Sequence, residues 1–231
     1  MVEMFSKDIN MKLGIDKCGI VNVKKGKLDE EKFKSDILTL TFNESYKYLG
    51  ICESSNILHK EMKEKATKEM FRRIKALAKA KLTAINFAKA YNSFALPILR
   101  YGFGILKWTK TELLQLDRKM RKILTKAGFH HPKSNTHRLY MRRIDGGRGV
   151  KSLWDTYNEE CSKIATYLRK NKRGDPLTHL IADMEMKKPE TVSILRFKDD
   201  EEYVVKKHAE EHLVKYKEME MHGQWLAERD E

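Results

Sequence analysis

Apolar residues between positions 57 and 80 recur every three or four residues, which is the spacing of an amphipathic helix. They are Leu58, Met62, Ala66, Met70, Ile74 and Leu77. Basic residues follow the same step on the nearly opposite side; they are Lys65, Lys68, Arg72, Lys75 and Lys79. At a rise of roughly 1.5 Å per residue, this basic stripe is about 21 Å long. The pattern predicts a helix with one packing face and one face suited to a phosphate backbone.

A second helix of the same design is predicted after Thr109. Thr109 and Glu112 have capping-box spacing, and Gly128 favours a helix end. The apolar side is Leu113, Leu116, Met120, Ile123 and Ala127, and the basic residues fall mainly opposite: Arg118, Lys119, Arg121, Lys122 and Lys126. Between the two helices, residues 82–106 are richly apolar and predict a buried helix that is bent or broken at Pro97.

The two ends of the chain predict different structures. Short β-branched or aromatic runs predict strands of a small sheet over residues 19–25, 37–42 and 46–51. Towards the other end, helices are predicted over residues 151–171, 177–186 and 199–220, with an extended segment over residues 192–197. We therefore predict a mainly α fold with a small β portion.

Basic charge is concentrated in one block. Residues 57–150 contain 23 Lys and Arg against 6 Asp and Glu, whereas the whole chain has 47 against 33. A basic excess confined to one segment favours a surface that faces a polyanion, most often nucleic acid; the alternative is a solvated helical face with chance bias. The basic block begins after the strand-like runs and ends near Val150, where the charge changes sign. This pattern predicts three parts: residues 1–56, 57–150 and 151–231.

Three widely spaced cysteines, Cys18, Cys52 and Cys161, indicate reduced thiols in an intracellular protein, nuclear or cytoplasmic. We find no secretory signal pattern and no apolar run that would span a membrane, so we expect a protein that is not secreted and has no membrane partner. The sequence leaves the oligomeric state open.

Five motifs in a fixed order carry a family resemblance. They are MKLGIDKC (residues 11–18), YKYLGI (46–51), LRYGFGILKWTKTEL (99–113), LDRKMRKIL (116–124) and HRLYMRRIDGGRGV (137–150). The series resembles the C-terminal part of reverse transcriptases from non-LTR retrotransposons, over most of the chain up to about residue 157. The tail, with MHGQW at residues 221–225, resembles less specifically the segment that follows the thumb.

The resemblance implies a palm remnant with a primer-grip-like hairpin, a basic helical thumb and a helical extension. In such polymerases the thumb holds the phosphates of a template–primer duplex without reading its sequence. The hairpin residues implied to bind nucleic acid are Tyr46, Lys47, Tyr48, Leu49 and Gly50; sheet packing is the alternative for the aromatics. Those of the thumb are Lys65, Lys68, Arg72, Lys75, Lys79, Arg118, Arg121, Lys122, Lys126, Arg142, Arg143 and Arg148.

The chain departs from the family in its chemistry. Polymerases need carboxylates that hold two Mg²⁺ ions, and the motifs that supply them are missing from this sequence. The only Asp-Asp pair, Asp199–Asp200, follows the predicted thumb when it should precede it. Lys17 matches a lysine that in polymerases can act as general acid, but we favour an ordinary surface lysine at a turn. We therefore expect an N-terminally truncated, inactive polymerase fragment with no cofactor of its own, since only a full-length enzyme would need Mg²⁺.

Two other functions stay open at this point. The chain could be a non-catalytic nucleic-acid-binding protein derived from a retroelement. It could also be a helical interaction protein whose basic face meets an acidic partner or an anionic membrane.

Histidine-rich patterns have simpler interpretations than metal sites. His208, Glu211 and His212 form H-x-x-E-H, an inverted zincin motif, but a charged helix produces it readily and only 19 residues remain for a further ligand. A cluster at His130, His131 and His137 has no cysteine nearby, so a turn with polar or phosphate contacts is favoured.

The run GGRG at residues 146–149 lacks the spacing of a nucleotide-binding glycine loop. It predicts a tight turn between helices, because glycine tolerates left-handed backbone angles. Arg148 would then either contact phosphate or cap a neighbouring helix.

Overall fold

The computed structural model describes residues 2–12, 14, 15, 18–25, 27, 28, 37–40, 44–53, 57–171 and 174–230. Within these residues the chain is mostly helical with a small β portion, which confirms the predicted fold class. Two compact units are present, Met1–Met62 and Lys63–Glu231. The division into three parts, based on charge, stays a prediction.

The described residues of the first unit include a short helix and short strands that pair two by two. The helix α1 spans Val2–Asp8. The strands are β1 (Gly19–Ile20), β2 (Val23–Lys24), β3 (Lys27–Leu28), β4 (Leu38–Thr39), β5 (Tyr46–Tyr48) and β6 (Ile51–Glu53). β1 pairs with β4 in parallel, whereas β2 with β3 and β5 with β6 are antiparallel.

The run predicted as one strand over residues 46–51 is a hairpin. Leu49 and Gly50 have φ angles of 45° and 87°, and two successive positive values reverse the chain in the turn that suits the twist of a hairpin. Tyr48 therefore pairs with Ile51 across the turn. Part of the strand predicted over residues 37–42 lies outside the described residues.

Helices build the second unit. They are α2 (His59–Lys79), which begins in the first unit, α3 (Ala84–Ala90), α4 (Pro97–Arg100), α5 (Lys110–Lys126), α6 (Thr136–Tyr140), α7 (Leu153–Asn171), α8 (Pro176–Met186) and α9 (Glu201–Asp230). Their core contains fully buried side chains from α2 to α7, among them Met70, Ile74, Phe87, Tyr91, Phe103, Leu113, Met120, Leu124, Leu139 and Leu153.

The apolar segment before α5 is broken at proline, as predicted. A π-helical turn over Tyr91–Ala95 joins α3 to α4, and the Leu96 N–H donates to the Tyr91 carbonyl at 3.0 Å. α4 then begins at Pro97, because proline is well suited to the first turn of a helix. The π turn itself was not predicted.

The prediction of an extended segment over residues 192–197 is wrong. Ile194–Arg196 form a turn of 3₁₀ helix instead. The Glu185 carboxylate accepts hydrogen bonds from Ser193 Oγ at 3.1 Å and from the Ile194 N–H at 3.0 Å. This contact with α8 draws the segment into a compact turn.

Candidate nucleic-acid interface

The basic stripe of α2 is exposed along its whole length. The side chains of Lys65, Lys68, Arg72, Lys75 and Lys79 are all exposed. On the opposite side of the helix, Met70 and Ile74 are 0 % exposed. The helix therefore separates a packed face from a charged face, as the spacing of its residues predicts.

Glu69 neutralises part of this stripe. The Arg72 guanidinium donates to both Glu69 carboxylate oxygens at 2.6 and 2.7 Å, and Arg73 Nε donates to the same carboxylate at 2.9 Å. These hydrogen bonds lower the pKa of Glu69 to about 2, so it is ionised at neutral pH. The lysines of the stripe therefore supply most of its net positive charge.

The capping box predicted at the start of α5 is present. Thr109 Oγ1 accepts the Glu112 N–H at 3.2 Å, and a Glu112 carboxylate oxygen accepts the Thr109 N–H at 2.8 Å. Lys63 Nζ of α2 lies 2.9 and 2.8 Å from the two Glu112 oxygens and 5.0 Å from the centre of the Trp108 ring. Partial burial opposes ionisation of Glu112, but the bonds from Lys63 and Thr109 lower its pKa. One carboxylate thus caps α5 and ties it to α2.

A groove lies between α2 and α5, and exposed basic residues continue along both helices beyond it. Its lining includes Lys63, Thr67, Lys68, Trp108, Gln115 and Leu116. Lys63 of α2 pairs with Glu112 of α5 at this groove. Steps of three and four residues from Lys68 on α2 and from Gln115 on α5 define one basic edge on each helix. On α2 the edge continues through Arg72, Lys75 and Lys79, and on α5 through Lys119, Lys122 and Lys126.

The basic residues of α5 differ in exposure. Arg118, Lys119, Lys122 and Lys126 are exposed. Arg121 is half-buried and donates to the Tyr140 hydroxyl at 2.7 Å, with its guanidinium 5.9 Å from that ring. Arg121 therefore fastens α5 to α6. Lys119, which the family resemblance did not select, is one of the exposed cations.

Asp117 lies in the middle of this basic helix and is 1 % exposed. Its two carboxylate oxygens accept the N–H of Leu153, the first residue of α7, at 3.3 and 3.1 Å. Burial raises the pKa of Asp117 to about 7, against the opposing effects of the Leu153 hydrogen bond and of Arg121. Asp117 thus links α5 to the start of α7, and no sequence pattern identified it.

Glycines shape the turn that carries Arg142, Arg143 and Arg148. Gly146 and Gly149 have φ angles of 82° and 72°, and a Cβ on Gly147 would lie 2.2 Å from the Met141 carbonyl oxygen. The tight turn is therefore confirmed. Arg142 Nε donates to Asp145 at 2.7 Å. Arg143 and Arg148 are exposed, and within the described chain the Arg148 side chain caps no helix.

The hairpin residues of the first unit present mixed surfaces. Tyr46 is half-buried, and a Cβ on Gly19 would lie 3.2 Å from its ring, so packing accounts for this side chain. Tyr48 and Leu49 are 58 % and 70 % exposed, and Lys47 and Gly50 are exposed as well. Lys17 lies outside the described residues.

The histidines do not form metal centres in the described part of the chain. His131 Nδ1 accepts the Lys133 N–H at 3.2 Å, and His130 Nδ1 lies 3.3 Å from Ser134 Oγ, as expected of a polar turn. Within the described residues no group of three or more His, Cys, Asp or Glu side chains could hold a metal ion.

Every helix in the described residues is too short or too polar to cross a membrane. Comparison of the chain with family models, with curated proteins and with solved structures gave no match. The family resemblance therefore rests on the five quoted motifs alone.

Proposed function

We propose that this chain is the C-terminal part of a polymerase related to the reverse transcriptases of non-LTR retrotransposons. In this role α2 and α5 grip a template–primer duplex through its phosphates. The catalytic carboxylates and their Mg²⁺ ions would belong to residues that this sequence does not contain. The same grip would serve a non-catalytic nucleic-acid-binding protein derived from such an element.

The exposed basic face of α2 carries this proposal. Five cations at helical spacing face solvent, while the other side of the helix is buried in the core. A cation held this way needs no rearrangement of the fold to reach a phosphate. On α5, Lys119, Lys122 and Lys126 add a second exposed basic edge at helical spacing.

The residue types support phosphate contact without sequence readout. Most of the exposed cations are lysines, whose ammonium is a mobile point charge on a flexible stem. Bidentate contacts to guanine are usually made by arginine. Here Arg72 is already occupied by Glu69, and Arg121 by Tyr140. The other exposed cations of α2 and α5 are Arg118 and lysines, and the lysines would position a duplex through charge attraction without discriminating among base pairs.

Charge neutralisation on α2 tests this function. The variant K68Q/K75Q/K79Q removes three exposed cations of the stripe and leaves the Glu69 pairs intact. If each contacts a phosphate, duplex affinity in about 0.1 M salt should fall at least tenfold, and the salt slope should become shallower by about 2.7. Fluorescence anisotropy with a labelled 20-base-pair duplex measures both quantities.

The matched control is K206Q/K207Q/K217Q, which removes three exposed lysines from α9. These lysines are interleaved with acidic residues, and Lys215 is left unchanged because it pairs with Glu211 at 3.7 Å. We expect the control to lose less than about threefold in affinity. Equal losses in the two variants would indicate diffuse charge attraction and would overturn the proposed surface. Absence of duplex binding by the unmodified chain would favour an acidic protein partner.

A further inference from the structure

A chain of three titratable side chains joins α9 to α6 and α7. Asp155 Oδ2 in α7 lies 2.8 Å from His212 Nε2 in α9, and His212 Nδ1 lies 3.0 Å from His137 Nδ1 in α6. The His212 ring also packs on the Tyr140 ring, with centroids 5.3 Å apart. All three side chains are at least partly buried. The H-x-x-E-H pattern thus places His212 in a contact between helices.

The hydrogen positions in this chain limit how many protons it can accept. Asp155 holds a hydrogen on His212 Nε2, so in the neutral state His212 Nδ1 accepts from the His137 Nδ1–H. One added proton can reside on the far nitrogen of His137, and both contacts survive. A second added proton places hydrogens on both Nδ1 atoms, and two donors then face each other at 3.0 Å. The contact therefore breaks at the second protonation.

The surrounding charges determine how acidic the solution must be for the second protonation. Burial lowers the pKa of His137, and nearby His212, Lys215 and Arg121 lower it further, whereas Asp155 opposes them. On the other side, His212 and His208 lower the pKa of Asp155 against the effect of burial. Because burial and the nearby cations oppose added protons, the contact is kept at neutral pH and is lost only as acid forces the second proton onto the pair.

α9 also lies close to arginines at the end of the basic block. The Glu210 carboxylate of α9 raises the pKa of Arg142, although Asp145 is the main cause. The Tyr216 carbonyl accepts a hydrogen bond from Asn135 Nδ2 at 3.5 Å, just before α6. Arg138, in α6, is close enough to Tyr216 to act on its hydroxyl, whose hydrogen bond to Glu220 dominates and raises its pKa. Docked α9 therefore places Glu210 and Tyr216 near the exposed side chains of Arg142 and Arg138.

We propose that α9 is a detachable arm, docked beside Arg138 and Arg142 and released by acid through the second protonation of the His137–His212 pair. Its effect on duplex binding rests on the function proposed above, whereas its release does not. Release would free Arg142 from Glu210 and open the surface beside α6 to phosphate.

Amide hydrogen exchange of residues 204–216 tests the release. Protection factors, corrected for the intrinsic exchange rate at each pH, should fall about tenfold or more between pH 7.5 and pH 5.0 in the unmodified chain. In His137→Gln, an amide that can both donate and accept replaces the ring, so the fall should be less than about threefold. The control His179→Gln alters an exposed histidine paired with Asp183 in α8 and should behave like the unmodified chain.

The variant Asp155→Asn provides a second, independent test of the release. It removes the carboxylate that orients His212, so protection of α9 should already be reduced at pH 7.5. Asp183→Asn is its control, since it also removes a carboxylate paired with a histidine. Equal pH profiles in the unmodified chain and His137→Gln, or equal protection in the two Asp variants, would overturn the proposal. Circular dichroism at pH 7.5 confirms that each variant is folded.

Duplex binding by the same two Asp variants tests the consequence. Asp155→Asn should bind a 20-base-pair duplex about threefold more tightly than Asp183→Asn at pH 7.5. Equal affinities, together with reduced protection of α9, would show that the arm does not restrict the basic surface. If the unmodified chain and both variants fail to bind, the proposed function fails, while the exchange data still decide whether α9 is released.

Discussion

Asp117 is a buried acid within the most basic helix of the chain, and its position explains how α5 is anchored. Its carboxylate accepts the N–H of Leu153, which has no hydrogen-bond partner within α7 because it lies in the first turn of that helix. The cost of burying the charge shows in its pKa, which burial raises to about 7. The residue therefore holds two helices together but favours the fold most when it is protonated.

The stability of the chain should depend on this residue in a defined direction. In the unfolded chain the pKa of Asp117 is near its ordinary value of 3.8, whereas in the folded chain it is about 7. The contribution of Asp117 to stability is fully present below about pH 4 and is lost as the pH rises to about 7. The free energy of unfolding should fall by on the order of 2–4 kcal/mol over this range. In Asp117→Asn the side chain cannot ionise but can still accept a hydrogen bond from the Leu153 N–H. The free energy of unfolding of this variant should therefore not fall over the same pH range.

Urea unfolding of the unmodified chain and Asp117→Asn at pH 4.5 and pH 8 measures the difference. The control is Asp199→Asn, which alters an exposed carboxyl and should follow the unmodified chain. A gap between Asp117→Asn and the unmodified chain that stays constant with pH would show that Asp117 does not titrate as described.

The capping box of α5 sets where the basic helix begins and how it meets α2. Thr109→Ala removes the acceptor of the Glu112 N–H, and loss of such a cap costs about 1 kcal/mol. Thr111→Ala is a matched control, because Thr111 is exposed within the first turn and caps nothing in the described structure. Urea unfolding should show Thr109→Ala as the less stable variant by about that amount. Equal stabilities would mean that Lys63 and the core hold α5 without the cap.

Helices whose ends are determined by residues close by in the sequence were predictable. The boundaries of α5 follow from Thr109, Glu112 and Gly128, which act through neighbours three or four residues away. The segment at residues 192–197 was mispredicted because its conformation depends on Glu185, in a different helix. The π turn before α4 was likewise not predicted, since no residue pattern distinguishes it from an ordinary helical turn.

At the scale of the whole molecule, the sequence predicted which cations face solvent better than it predicted which are already paired. The spacing of Lys68, Lys75 and Lys79 was sufficient to place them on the exposed side of α2. The partner of Arg121 is a tyrosine 19 residues away, and that contact depends on how α5 and α6 pack. The link between α9 and α7 through His212 is of the same kind, because its residues are 57 positions apart.

The salt dependence of duplex binding tests the central claim most directly. Binding of the full chain to two unrelated duplexes, one DNA–DNA and one RNA–DNA, would be measured by anisotropy from 50 to 300 mM salt. If the two basic edges neutralise roughly four to eight phosphates, log affinity should fall linearly with log salt, with a slope of about −4 to −7 on DNA. Changing the base sequence should alter the affinity little. A slope shallower than about −2, a strong preference between sequences, or no binding at 50 mM salt would contradict the proposed phosphate grip.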